Sequence, residues 1–187
     1  MKKRILSIVV IFTLAMTTSF AQGEQHLKFM GIPITGTINQ FQSKLASKGI
    51  TVDQSVNKYI GVGGRAFKGV FAGKKAQIYV YYDETTKIVY RAKAVIDSYD
   101  EDTSDNDYYH FVDLLTTKYP DVEVETGEHD GYESTTLYVP NNSTGNYQYL
   151  GSIDVFRSED YSAYSLYIDY TDTVNYIKHE DRNLEDL

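Results

Sequence analysis

The sequence predicts an α+β protein with two tandem repeats. Each repeat is a helix followed by an antiparallel meander of three or four strands, with the helices on one face of the sheet. Helical periodicity is clear in only two segments, residues 31–50 and 104–120, whose apolar triads lie at the same spacing. Each segment is followed by stretches in which inward apolar residues alternate with outward ones, the period of a sheet with one covered face.

The first 21 residues have the order of features of a secretory signal peptide. Cations at positions 2–4 precede an apolar run over residues 5–16, and Ser19 and Ala21 are the small residues before a cut after Ala21. The run is too short to span a membrane, so the sequence predicts a periplasmic or secreted protein with no membrane span after cleavage. Cleavage removes three cations and changes the net charge from −8 to −11, which argues against nucleic-acid binding.

The first helix is predicted within "GIPITGTINQFQSKLASKGI", residues 31–50. Thr37 and Gln40 have capping-box spacing, in which each side chain accepts a hydrogen bond from the other residue's backbone N–H. Gly49 stands where a helix ends in a left-handed residue. The residues expected on the buried face are Ile38, Phe41 and Leu45.

The strands of the first repeat follow this helix. Residues 65–71 are a predicted strand, and residues 73–97 are a hairpin with its turn at 83–87. The glycine-rich loop 60–64 is interpreted as a bend, because it lacks the preceding strand and following helix of a phosphate-binding loop. The residues expected to point inward are Ile78, Val80, Tyr82, Ile88, Tyr90, Ala92, Ala94 and Ile96.

The second repeat has the same order of elements. Its helix is predicted to begin at a cap on Ser104 or Asp105 and to end at Lys118, before Pro120. Its buried triad, Tyr108, Phe111 and Leu115, lies 70 residues after the first. Strands are expected at 122–126 and 133–140, and a hairpin at 151–172 with its turn at 158–161. The inward residues of that hairpin are Ile153, Val155, Tyr164, Leu166, Ile168 and Tyr170.

These elements divide the chain into four parts. Residues 1–21 are the signal peptide, 22–100 the first repeat, 101–174 the second repeat and 175–187 a polar C-terminal tail. Repetition of one supersecondary unit at a constant offset is the sequence signature of an internal duplication.

This pattern resembles that of two known groups of exported proteins. A tandem repeat of helix plus meander with an aromatic open sheet face is similar to the beta-lactamase inhibitor protein architecture and to the small outer-membrane assembly lipoproteins (SmpA/BamE-like). The opening "FMGIPITGTINQFQSKL" also looks like that of uncharacterised exported proteins of Gram-negative bacteria. The chain lacks the cysteines and tryptophan of the inhibitors and the lipidated cysteine of the lipoproteins, so the resemblance implies a fold and no functional residue.

No residue set with the spacing of a known catalytic or metal site occurs in the sequence. The chain has no cysteine, and its four histidines, at positions 26, 110, 129 and 179, do not have zinc-ligand spacing. The sequence therefore predicts no catalytic residue, no metal and no cofactor. One alternative stays open for the acidic run 97–107, whose aspartates could be calcium ligands or could belong to a solvated loop that begins the second helix.

The residues opposite the core positions are the best candidates for function. The first hairpin places Tyr79, Tyr81, Arg91 and Lys93 outward, with Lys68 as a possible neighbour; the second places Asp154, Phe156, Tyr167 and Asp169 outward. Tyrosine, phenylalanine and arginine are frequent energetic anchors of protein interfaces. The plainer interpretation is that tyrosine is simply a good strand residue, or that the C-terminal tail covers this face.

The leading functional hypothesis is therefore a non-enzymatic, exported, inhibitor-like or immunity-like protein that binds another exported or envelope protein. The predicted binding residues are Tyr79, Tyr81, Arg91, Lys93, Phe156 and Tyr167. Two alternatives are an envelope-assembly or structural accessory protein and, ranked last, a glycan hydrolase that uses paired carboxylates.

Overall fold

A computed structural model describes residues 24–142, 147–160 and 163–185. The predicted signal peptide lies outside the described residues. The described chain is an α+β fold built on one eight-stranded antiparallel sheet, which confirms the α+β part of the prediction. None of the helices in this part of the chain combines the length and the apolar character needed to cross a membrane.

The first half of the chain contributes a small hairpin, two helices and four strands of the large sheet. In chain order these are β1 (Lys28–Phe29), β2 (Ile32–Pro33), α1 (Ile38–Ala46), β3 (Thr51–Val52), α2 (Gln54–Asn57), β4 (Gly64–Phe71), β5 (Lys74–Tyr82) and β6 (Val89–Ser98). The second half contributes α3 (Glu101–Lys118), β7 (Glu123–His129), β8 (Tyr132–Pro140), β9 (Tyr149–Asp160), β10 (Ala163–Asp172) and α4 (Thr173–Glu185).

The strand order of the sheet is β3-β4-β5-β6-β10-β9-β8-β7. The last strand of each half, β6 or β10, therefore lies at the centre, and the first strand that each half contributes to this sheet, β3 or β7, lies at an edge. Buried residues of α1 and α3 form one hydrophobic cluster with the inward residues of the strands. This arrangement leaves the outward residues of both halves on one continuous surface of the sheet.

Helix α1 begins with the predicted capping box. Thr37 Oγ1 accepts from the Gln40 backbone N–H at 3.4 Å, and Gln40 Oε1 accepts from the Thr37 N–H at 3.0 Å. Gly49 has a φ of 80° just beyond the helix end, as expected. The predicted triad Ile38, Phe41 and Leu45 is buried, so this stretch is a helix start rather than a ligand loop.

Helix α3 begins one turn earlier than predicted. Its cap is Asp100, whose carboxylate accepts from the Thr103 N–H at 2.8 Å. The expected caps Ser104 and Asp105 therefore lie inside the helix. Acidic residues in the first turn, Glu101 and Asp102, interact favourably with the N-terminal end of the helix dipole and support the earlier start. The predicted triad, Tyr108, Phe111 and Leu115, is buried and the helix ends at Lys118.

The predicted inward and outward alternation is wrong at the start of β6, because a β-bulge shifts the pairing of this strand with β5. Tyr81 pairs with Arg91 but Tyr82 pairs with Val89, so Tyr90 is left without a partner in the ladder. Val89 is therefore buried, whereas Ile88, predicted to point inward, lies outside the strand. Beyond the bulge the prediction is confirmed: Ile78, Val80, Ala92, Ala94 and Ile96 are buried.

The other strands agree with the predicted ranges apart from the residues at which they begin and end. The weak strands predicted at 65–71, 122–126 and 133–140 are β4, β7 and β8. Strand β9 continues to Asp160, past the predicted start of the turn at position 158, and residues 161–162 lie outside the described part. The inward residues Ile153, Val155, Leu166, Ile168 and Tyr170 are buried, and Tyr164 is half-buried.

Residues 175–185, predicted to form a polar C-terminal tail, belong to helix α4, and this helix packs against the central strands β6, β9 and β10. Val174 and Asn175 are buried, and Asn175 Nδ2 donates to the carbonyl oxygens of Ile34 at 2.9 Å and Val89 at 3.2 Å. Farther along the helix, the His179 ring stacks on Tyr90 with centroids 4.3 Å apart. Helix α4 is anchored mainly by polar contacts, which explains why apolar periodicity did not indicate it.

Candidate functional site

The six predicted binding residues lie together on the surface of the sheet opposite the hydrophobic cluster, here called the outer face. They come from four consecutive strands, β5, β6, β10 and β9. Tyr79 pairs with Lys93 and Tyr81 with Arg91 between β5 and β6, and Tyr167 pairs with Phe156 between β10 and β9. Because β6 and β10 are neighbours, residues that are far apart in sequence form one patch.

Lys93 lies at the centre of three tyrosine rings. Its Nζ is 5.6 Å from the ring centroid of Tyr79, 5.8 Å from that of Tyr81 and 5.3 Å from that of Tyr167. These distances are within the range of cation–π attraction. Burial lowers the pKa of Lys93, and the nearby Asp169 carboxylate opposes that change. The rings thus hold the ammonium group in place between the two halves of the sheet.

Arg91 forms a two-pronged ion pair with Asp169 next to this group. Arg91 Nε donates to Asp169 Oδ1 at 2.8 Å, and Nη2 donates to Oδ2. The Asp169 side chain is only 1% exposed, whereas that of Arg91 is 40% exposed. The hydrogen bond to Asp169 raises the pKa of Arg91 above its usual value. The basic first hairpin and the acidic second hairpin therefore neutralise each other at this point.

Stacked rings extend the patch across β9. Phe156 and Tyr167 are nearly parallel, with centroids 4.7 Å apart and an interplanar angle of 5°. The His129 ring, from edge strand β7, lies 4.5 Å from Phe156. Sequence reasoning gave His129 no role. His129 ends the acidic segment 122–129, two residues before Gly131. Nothing in this local sequence indicated that its ring contacts Phe156 on β9.

A shallow polar depression of about 250 Å³ lies beside the stacked rings. Its lining includes Arg91, His129, Thr136, Asp154, Phe156 and Asp169. Thr136 Oγ1 donates to Asp154 Oδ1 at 2.7 Å. Burial raises the pKa of Asp154, and the nearby Asp169 charge adds to this effect, whereas the Thr136 hydrogen bond and Arg91 oppose it. The two aspartates are register partners on β9 and β10.

We expect Asp154→Asn to stabilise the protein at neutral pH by an amount on the order of 0.5–1 kcal/mol. The folded state raises the pKa of Asp154, so ionisation of this group disfavours folding, and the penalty grows as pH rises from the unfolded pKa through the folded pKa. An asparagine carbonyl still accepts from Thr136. Urea unfolding at pH 7 and pH 4 measures the effect, and a gain that is as large at pH 4 as at pH 7 would contradict the explanation.

Lys68 extends the outer face onto β4, where it pairs with Gln77. Its ammonium group lies 3.7 Å from the Asp53 carboxylate, and the side chain is 60% exposed. It is thus next to the patch but does not belong to the group of rings around Lys93.

The acidic run 97–107 is dispersed by the fold. Asp97 accepts from Ser165 at 2.8 Å, Asp100 caps α3, and Asp107 binds the Lys74 ammonium at 2.6 Å. Asp105 forms an ion pair with Arg157. Within the described residues, no three histidine or acidic side chains are grouped so that they could hold a metal ion. The geometry therefore favours the helix-initiating loop over the calcium site.

Two histidines form carboxylate contacts that the sequence did not suggest. His26 Nδ1 lies 3.0 Å from Asp172 Oδ1, and His179 Nδ1 lies 3.0 Å from Asp83 Oδ2. Both pairs are at helix α4 rather than on the outer face. His110 is exposed on α3.

The outer face presents a rigid, half-exposed surface of aromatic rings and paired charges. Such a surface can contact a partner with little further loss of side-chain freedom, because its long side chains are already held by their neighbours.

Comparison of the chain with family models, with curated proteins and with solved structures finds no match.

Proposed function

We propose that this chain is an exported, non-enzymatic protein-binding module whose outer face engages another exported or envelope protein. The observation that carries the proposal is the continuous aromatic and cationic patch across the four central strands, with Lys93 enclosed by three rings. Inhibition of an enzyme and immunity against a toxin are two forms of this function. Both would use the same residues, Tyr79, Tyr81, Arg91, Lys93, Phe156 and Tyr167.

Preorganisation supports a binding role for this patch. A flexible lysine or arginine loses rotamer freedom on binding, which weakens association. Here Arg91 is held by Asp169 and by the Tyr81 ring, 5.3 Å below its guanidinium group. Tyr167 is held by the Phe156 stack. Most of the ordering has therefore already occurred in the free protein.

Capture from an envelope extract, followed by a binding titration with the captured protein, tests the proposal. We expect the combined Tyr81→Ala and Phe156→Ala substitutions to weaken binding by roughly 100-fold or more, because aromatic anchors at the centre of an interface each contribute about 2 kcal/mol or more. Both residues are half-exposed on a solvent-facing surface, so their loss should leave the fold intact.

The matched control is Tyr59→Ala with Tyr99→Ala. These two tyrosines are 79% and 94% exposed and lie outside the patch. Their replacement should leave the affinity unchanged. If the two double variants bind equally well, or if no specific partner is captured, the outer face is not the binding site.

The two alternatives rank lower. An envelope-assembly or structural accessory role predicts co-fractionation with the outer membrane rather than a soluble complex. For the glycan hydrolase, one observation is favourable, the raised pKa of Asp154 beside Asp169. However, Asp169 is almost fully buried and held by Arg91, so this carboxylate is poorly placed to react.

We also propose that the two halves are tandem repeats that arose by duplication, as in the architectures that the sequence resembles. Each half supplies a helix with a buried apolar triad and then four strands of the large sheet, and the helix triads and the final hairpins occupy equivalent places in the order of elements. A duplication does not require that the segments 22–100 and 101–174 fold as separate chains. The central strand of each half, β6 or β10, pairs with that of the other half.

A further inference from the structure

An apolar cavity of about 470 Å³ lies between helix α3 and the turn that joins β4 to β5. Its volume is within the range of about 300–1,000 Å³ that holds small-molecule ligands. The walls include Phe71, Phe111, Leu114, Leu115 and Tyr170. This cavity is separate from the outer face, since Phe71, Phe111 and Tyr170 belong to the hydrophobic cluster on the other side of the sheet.

The base of the cavity is a rigid array of rings. Phe71 stacks on Phe111 with centroids 5.8 Å apart and on Phe29 with centroids 5.3 Å apart. Tyr170 meets the edge of Phe29 at 5.3 Å. All four rings are buried. Leu114, by contrast, is 41% exposed and lies where the cavity opens to solvent.

Two hairpin turns with a strained backbone place apolar residues in the lining of the same cavity. Met30 and Ala72 line it, and both have positive φ, 51° and 46°, at the first position of a two-residue hairpin turn followed by glycine. Such turns favour asparagine, aspartate or glycine at this position. The equivalent turn between β7 and β8, away from the cavity, has Asp130 with a φ of 52°. Strained residues of this kind are concentrated at ligand-binding sites.

The lining of the cavity includes one charged side chain. Of the residues that line it, only Lys118 is charged. Its ammonium group lies 4.8 Å from the centroid of the Tyr119 ring, so the side chain is partly oriented. An apolar cavity with one cationic residue in its lining is complementary to an amphiphile that has one chain and one negative charge.

We propose that this cavity binds a single long acyl chain whose carboxylate pairs with Lys118. The chain would lie against Phe71, Phe111 and Leu114, and the apolar side chains of Met30 and Ala72 would close the ends. This site goes beyond the proposed protein-binding function and uses none of its residues. A protein partner is a weaker candidate for this cavity, because the rings lie at the bottom of a concavity rather than on an open surface.

Calorimetric titration of the intact chain with palmitate, below its critical micelle concentration, tests the proposal. We expect saturable binding of one palmitate per chain. Hexadecanol, which has the same chain without the charge, should bind about tenfold more weakly, as expected for loss of one charge-assisted contact. Lys118→Gln should reduce the palmitate affinity to that of hexadecanol, whereas Lys48→Gln, at the corresponding end of α1, should not change it.

A second variant tests the location of the chain. Leu114→Glu places a carboxylate one helical turn before Lys118, where the two can pair and preserve the helix. We expect it to weaken palmitate and hexadecanol binding by at least about tenfold, because it introduces a charge at the apolar mouth. Val124→Glu adds the same charge at another exposed apolar residue, on β7, and should have no effect.

Absence of saturable palmitate binding would overturn the proposal. Equal loss of affinity in Leu114→Glu and Val124→Glu would also overturn it, since the effect would then follow net charge rather than the cavity. Equal affinity of Lys118→Gln and the original chain for palmitate would exclude the assigned carboxylate contact.

Discussion

Replacing Asp172 by alanine is expected to lower the free energy of unfolding by about 3–5 kcal/mol. The carboxylate is fully buried and accepts hydrogen bonds from His26 Nδ1 at 3.0 Å, from the Leu27 backbone N–H at 2.9 Å and from the Asn175 backbone N–H at 3.0 Å. Without an acceptor, two backbone donors stay buried and unpaired, and each such donor costs about 1–3 kcal/mol.

Urea unfolding of the purified chain measures this effect through the midpoint and slope of the transition. Asp172→Asn keeps one acceptor oxygen and should lose less stability than the alanine variant. Asp97→Ala is the matched control, because Asp97 is exposed and accepts a hydrogen bond from the Ser165 hydroxyl rather than from a buried backbone donor. A loss below about 1 kcal/mol for Asp172→Ala would show that water replaces the carboxylate at this position.

The elements governed by local pattern were predictable from sequence. The capping pair Thr37 and Gln40, the two buried helix triads and the alternation of the hairpins all depend on residues a few positions apart. The same alternation identified the outward residues of the aromatic and cationic patch on the outer face. Their assembly into one patch could not be read from either hairpin alone, because it depends on the pairing of β6 with β10.

Features that depend on long-range polar contacts were not predictable. Helix α4 is held by Asp172, by Asn175 and by the His179 contact to Asp83, and these pairs join segments far apart in the chain. The bulge at Tyr90 likewise reverses the alternation without a glycine or proline to mark it. The turns at Met30 and Ala72 did have a local signal, since each precedes a glycine and follows a phenylalanine, but their shared cavity required the fold.

Acidification is expected to destabilise the protein through Asp83. This carboxylate lies at the turn between β5 and β6 and accepts from the backbone N–H of Thr85 and the N–H and hydroxyl of Thr86. From α4 it accepts from His179 at 3.0 Å and from Arg182 Nε at 2.9 Å. Burial alone would raise the pKa of Asp83, but the hydrogen bonds from Thr86, His179 and Arg182 outweigh it and hold the pKa far below the usual value of 3.8.

A carboxylate whose pKa is lower in the folded state contributes stability above its unfolded pKa, and this contribution is lost as pH falls through the folded pKa. We therefore expect Asp83→Asn to lower the free energy of unfolding by about 2–4 kcal/mol at pH 7. The difference from the original chain should shrink progressively below pH 3.8. Urea unfolding at pH 7, 5, 4 and 3 measures it, with Asp113→Asn, an exposed carboxylate on α3, as the control. Because the Asp83 contacts join α4 to the sheet, an equal difference at pH 7 and pH 3 would mean that packing rather than charge anchors this helix.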